Sequence, residues 1–281
     1  MGRLLLFVTG ASKGIGLEVA VAALEKDYRV IATSRNAVTL RDQVLARVPE
    51  AGADFLALEM TFTEDSIKMA VKQALDQFGR IDVLVNNAGY GIFGALEEFS
   101  LEEVRKNFDV NVFGLLALTQ AVLPGMREQK SGHIINLASI SGSVTGPVQG
   151  IYSATKASVI MMSEALQAEV EPFGIQVTAV NPTGIRTDFL DASSMRRPEK
   201  EIKDYEVVQA TMSGLARLNH NQGGDSTYLA QAILELAAMK KAPNRLYAGS
   251  GALAAMQYKI TEVVQEINDF RELSQSVDRK D

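Results

Sequence analysis

Short, nearly continuous apolar runs alternate with helical stretches along almost the whole chain, and this alternation constrains its fold more than any other feature. Leu4–Val8, Arg29–Thr33, Asp54–Leu58, Ile81–Val85, His133–Ala138, Gln176–Val180 and Arg245–Tyr247 read as strands. Helical spacing covers Gly14–Lys26, Thr39–Arg47, Glu64–Phe78, Leu101–Arg127, Tyr152–Glu171 and Ser226–Ala238. Ser100-Leu101-Glu102-Glu103 forms a capping box, and Thr63 and Asp225 precede other helices. Strands that are apolar on both sides need cover on both faces. The predicted fold is therefore α/β, a doubly wound parallel sheet of about seven strands with helices on both faces. No repeat or linker divides the 281 residues, so one domain is expected.

Two segments break the alternation. Residues 188–224 are polar, mixed in charge and too long for a plain connection, which predicts an irregular lid over a binding site. Near the end, Leu253, Met256, Ile260, Val263, Val264, Ile267 and Phe270 follow helical spacing. They predict an amphipathic helix over about 251–275, docked on the body.

Composition narrows the function. A net charge of −6 with no basic run argues against nucleic-acid and membrane-surface binding. There is no cysteine, which removes disulfides, thiolate nucleophiles and cysteine zinc sites. The only histidines, His133 and His220, are far apart in sequence, so no transition-metal site is expected. The Leu4–Val8 run is too short for a signal or a span, and the cytoplasm is the simplest location.

Thr9-Gly10-Ala11-Ser12-Lys13-Gly14-Ile15-Gly16 joins the first strand to the first helix. Gly10 allows a tight turn, Gly14 lets backbone approach a pyrophosphate, and Gly16 lets helix and sheet pack closely. The helix N-terminus favours the phosphate charge. Farther on, Tyr152 and Lys156 stand four apart at the start of a helix, so a lysine ammonium lies near a phenol and should lower its pKa toward neutrality. Ser139 ends the apolar strand Ile134–Leu137, where open α/β sheets bind ligands, and its hydroxyl can stabilise a developing oxyanion. Asn86-Asn87-Ala88-Gly89 ends another strand. Asn111 is the one conspicuous amide in an apolar helix, fit for a structural network or a proton relay.

With these motifs in this order, the chain resembles the short-chain dehydrogenase/reductase family over roughly Leu4 to Tyr247. The resemblance implies a Rossmann-type domain and a catalytic tetrad of Asn111, Ser139, Tyr152 and Lys156. Lys156 would also hold the nicotinamide ribose. Ser12 and Ile15 would join the glycine loop in holding the nucleotide. Asn87, Ala88 and Gly89 would line it, as would Pro182, Ile185 and Thr187. Thr183 stands where the family usually has glycine, so the backbone there is expected to differ. Gly89–Gly94 and Arg186–Phe189 are similar to the hydroxysteroid-dehydrogenase-like subgroup.

NAD members of the family carry an acid where this chain has Ser34, and no acid occurs between Asp27 and Asp42. Arg35 can hold a 2′-phosphate and Lys13 can reach it, so the expected cofactor is NADP(H). Met60 replaces the usual adenine-binding Asp, leaving backbone contacts from Thr61. The expected activity is interconversion of a carbonyl and an alcohol on a small, partly apolar substrate. A nucleotide sensor without turnover is the competing class. Two helices apolar nearly all round, through Phe108–Leu123 and Val159–Leu166, must bury both sides, and the resemblance implies a homodimer or homotetramer packed through them.

Overall fold

The computed structural model describes residues 3–279. Seven parallel strands form one sheet: β1 Leu5–Thr9, β2 Arg29–Ser34, β3 Phe55–Glu59, β4 Val83–Asn86, β5 Gly132–Leu137, β6 Ile175–Pro182 and β7 Arg245–Ala248. Their order is β7-β6-β5-β4-β1-β2-β3, so the sheet is wound outward in both directions from a switch between β1 and β4. Alternate residues serve opposite faces. Leu6, Val8, Val85, Ile135 and Val180 share a core with α1 (Gly14–Glu25) and α8 (Ser226–Ala238). Leu5, Phe7, Leu84, Ile134 and Val177 pack instead toward α3 (Glu64–Phe78) and α5 (Leu115–Gln129). The predicted doubly wound α/β sheet is the observed one.

Helix α2 covers Ala37–Arg47, α4 Leu101–Phe108 and α6 Gly150–Val170. The capping box forms as expected: Glu103 N donates to Ser100 Oγ at 3.2 Å and Ser100 N to Glu103 Oε2 at 2.8 Å. Between α4 and α5, Asp109–Gly114 is a π-helical turn, a form that concentrates at functional sites. The whole stretch Leu101–Gln129 is the one helix among the described residues long and apolar enough, by length and composition, to cross a bilayer. It lies against the sheet through Leu115, Leu118, Val122 and Met126, as a core helix does.

Two expectations need correction. Residues 188–224 are not irregular throughout: Glu206–Leu218 forms a helix, α7, and Met195–Arg196 pairs in parallel with Gly91–Ile92. The tail helix exists, as α9 (Ser250–Asp269) followed by the short α10 (Arg271–Gln275), but it is not docked along its length. Only Ala252 of α9 is buried, and every described residue beyond Glu262 is exposed.

Candidate active site

The ends of β1, β4, β5 and β6 bring the predicted motifs to one edge of the sheet, beside the strand-order switch. Gly10 and Gly14 have φ of 65° and 56°, which side chains rarely tolerate, and a Cβ on Gly10 would stand 2.8 Å from Ala88 Cα. Helix α1 starts at Gly14 with no side-chain cap and no acid in its first turn. Its first N–H groups are thus open to an anion, and the loop fits a pyrophosphate. Thr9 and Asn87 hold loop and turn together. The amides of Asn87 and Ala88 both donate to Thr9 Oγ1 at 3.0 Å, while Asn87 Nδ2 donates to the carbonyls of Thr9 and Gly10 at 2.9 and 3.2 Å.

At the predicted adenosine end, Ser34 Oγ is occupied by Asn36, donating to its carbonyl at 2.7 Å and accepting from its amide at 3.1 Å. That small turn leaves Arg35 exposed just beyond β2. Met60 is buried in the core. The backbone contact expected of Thr61 is partly forestalled, because its N–H donates to Ser66 Oγ at 3.0 Å. Lys13 also departs from expectation: its Nζ donates to Ser193 Oγ at 2.5 Å, and this bond must break before it reaches a 2′-phosphate. Thr183 finds its space where Gly249 and Gly251 face it, a Cβ on either coming within 2.7 Å of the threonine side chain. Thr187 caps the next turn, accepting from Phe189 N at 3.3 Å, and its methyl lies 3.4 Å from where a Gly14 Cβ would be. Pro182 and Ile185 lead into it from β6.

Ser139, Tyr152 and Lys156 come together, all buried. Ser139 Oγ accepts from Ser141 N at 3.1 Å, starting the turn Ile140–Gly142. Tyr152 and Lys156 lie one turn apart on α6, with Nζ 5.8 Å from the phenol ring centre. Nζ donates to Leu137 O at 2.6 Å. The expected lowering of the phenol does not occur in this state. Burial pushes Tyr152 up to about 12, offset only in part by hydrogen bonding with Ser139. Burial likewise pushes Lys156 down to about 8. For each group the largest effect is the hydration its charged form loses on burial.

Asn111 sits in the π turn and is tied to the backbone of Tyr90, accepting from its N–H at 3.1 Å and donating to its carbonyl at 2.9 Å. Its Nδ2 also lies 3.2 Å from Thr155 Oγ1. A Cβ on Gly89 would stand 3.0 Å from Asn111 Oδ1 and 3.6 Å from Lys156 Nζ, so both groups face the same backbone point.

An apolar shell surrounds the phenol. Phe93 and Phe189 flank Tyr152 with ring centres 5.6 and 5.5 Å away, and Val148 and Met212 complete an apolar cluster. Met212 is the one buried residue of α7, so the missed helix covers the phenol. Beneath the site, Asn86 Nδ2 donates to Thr119 Oγ1 and Asn136 Oδ1, and Asn136 Nδ2 to Ser163 Oγ at 2.8 Å. Polar residues inside otherwise apolar strands were the available signal for that network.

Carboxylates fasten the 188–224 segment. Glu98 Oε1 accepts from Ile202 N at 2.7 Å, Glu103 from Glu199 N at 3.1 Å, and Glu97 from the Tyr205 hydroxyl. Asp188, Asp191 and His220 bring ligand atoms within 4.8 Å of one another near the surface. There Asp191 accepts from Asn219 Nδ2 at 2.6 Å and pairs with His220, joining the two ends of the segment.

Residues 5–198 match the family model for short chain dehydrogenases. An oxidoreductase of Botryotinia fuckeliana, BOA17, is 35% identical over 272 residues, covering 95% of this chain and 97% of that one. A 3-ketodihydrosphingosine reductase of Bacteroides thetaiotaomicron is 36% identical over 245 residues, or 87% of each chain. The crystal structure of a short-chain dehydrogenase from Streptomyces avermitilis superposes with a TM-score of 0.90 at 33% identity, covering 99% of this chain and all of that one. Other chains sharing the fold were solved with NAD or with NADP bound. The protein belongs to the short-chain dehydrogenase family of oxidoreductases.

Proposed function

We propose that the chain is an NADPH-dependent carbonyl reductase of the hydroxysteroid-dehydrogenase-like subgroup, with Tyr152 as general acid. The observation that carries this reading is the convergence of Ser139, Tyr152 and Lys156, all buried, at the strand ends beside an uncapped glycine-loop helix. Residues of that loop, with Asn87, Gly89 and Thr187, would hold the nucleotide, and Arg35 would meet the 2′-phosphate. NADPH, when bound, would supply a hydride for the carbonyl carbon. Ser139 donates a hydrogen bond to the carbonyl oxygen, and Tyr152 passes its proton to that oxygen, giving the alcohol. The reducing direction suits a phenol held at about 12, because it keeps its proton until the developing alkoxide takes it. Lys156 offsets the negative charge left on Tyr152, and Asn111 braces the neighbouring turn through Tyr90.

Phe93, Phe189, Val148 and Met212 around Tyr152 favour an apolar ketone or aldehyde. Residues 188–224 act as its lid. Phe113 and Met161, exposed on the π turn before α5 and on α6, favour a homodimer or homotetramer through those helices. NADPH consumption with a panel of aldehydes and ketones tests the proposal. Turnover that strengthens with apolar bulk is expected. Nucleotide binding without turnover across the whole panel would replace the reductase with a sensor.

A further inference from the structure

Along α9, Leu253, Met256, Ile260, Val263, Ile267 and Phe270 recur at intervals of three, four, three, four and three. These are the a and d positions of a coiled-coil seam, with Val264 beside it at an e position. The body does not cover it. Half-covered residues stop at Glu262, whereas Leu253, Ile260, Val263, Ile267 and Phe270 are 38–60% exposed. A helix of this length with a bare apolar seam needs a partner in water.

We propose that α9 pairs antiparallel with α9 of a second copy of this chain, about a two-fold axis crossing between Ile260 and the partner's Val263. In this register Leu253 meets the partner's Phe270, Met256 the partner's Ile267, and Ile260 the partner's Val263, each twice by symmetry. Beside the seam, Lys259 meets the partner's Glu266, again twice. Within one chain, among the described residues, Lys259 pairs only with Glu262 on the next turn, at 3.5 Å. Parallel pairing would instead require Glu266 to reach the partner's Arg271. That residue lies past the break at Phe270 (φ −111°, ψ 20°) and donates to Asn268 Oδ1 at 2.8 Å. A lipid surface fits less well. From Lys259 to Arg279 the acids Glu262, Glu266, Asp269, Glu272 and Asp278 outnumber the cations Lys259, Arg271 and Arg279, and an anionic bilayer would repel them.

Helix α9, whose one buried residue is Ala252 near its start, contacts the Ile140–Gly142 turn that follows Ser139. The antiparallel register therefore brings the partner's free helix end within one turn of the residue anchored beside the site.

The chain has no cysteine, so engineered ones are unique. Leu253→Cys and Phe270→Cys proteins, each alone and then mixed and equilibrated at micromolar concentration, are treated with a short bis-maleimide. Only the mixture should give a covalent dimer. Positions 253 and 270 of one helix are about 26 Å apart, as are the two copies of either position in the antiparallel pair. Adding Ile267→Glu to both proteins should abolish the cross-link while the melting temperature holds. No dimer in the mixture, dimers in the unmixed samples, or cross-linking that survives Ile267→Glu would each overturn the pairing. The readout depends on neither turnover nor the α5–α6 contact.

Discussion

Thr9 and Asn87 bind each other's backbone: the Asn87 amide donates to Thr9 Oγ1 at 3.0 Å, and Asn87 Nδ2 returns a bond to the Thr9 carbonyl at 2.9 Å. Through this exchange the glycine loop and the turn after β4 are set as one unit. Thr9→Val keeps the volume but leaves the Ala88 amide without its acceptor. Stability should fall by about 2 kcal/mol in chemical denaturation, and nucleotide should bind more weakly. Unchanged stability and binding would mean that the loop stands without this stitch.

Cofactor choice rests on Arg35. Arg35→Asp should remove a phosphate partner and add repulsion, weakening NADPH about thirty-fold, or about 2 kcal/mol, while NADH binding changes little. Equal kinetics with the two cofactors in the unmodified protein would remove Arg35 from this role.

Acid lability should trace to His133. Burial pushes its pKa down to about 4 from an ordinary value near 6.5. Between these values the unfolded chain takes up a proton that the folded one refuses. Stability should therefore fall as pH drops from about 6.5 to about 4, by about 3 kcal/mol in all. His133→Gln, which keeps a donor for Thr178, should flatten that slope in denaturation at several pH values. An unchanged slope would place the lability elsewhere.

The seven strands were legible because each is a short apolar run that can be satisfied only inside a covered parallel sheet. The convergence of Ser139 with Tyr152 and Lys156 was legible because strand ends and helix starts meet at one edge. Helix α7 was not, although Val208, Met212 and Leu215 recur at helical spacing, because they lie within a long polar segment of mixed charge. The phenol's pKa was misread because spacing places Lys156 near Tyr152 but does not show that both are buried. For α9, periodicity announced an apolar seam but could not tell what covers it.

The 188–224 segment should behave as a lid. Arg196, Lys200 and Lys203 are exposed, and between the short pairing of Met195–Arg196 with Gly91–Ile92 and helix α7 the segment is held by single bonds from Glu97, Glu98 and Glu103. Trypsin should cut the free protein first at these residues and should spare the Arg197-Pro198 bond. Saturating NADPH and a ketone substrate should slow the cutting by favouring the closed form. Cleavage that begins elsewhere, or ignores ligands, would make the segment a fixed surface feature.

The central claim is that Tyr152 delivers the proton. The most direct measurement is NADPH-dependent reduction by Tyr152→Phe beside a titration of NADPH binding to the same variant. Loss of the hydroxyl alone should lower kcat by about 100-fold or more while binding stays near that of the unmodified protein. Substantial turnover in the variant would contradict the account.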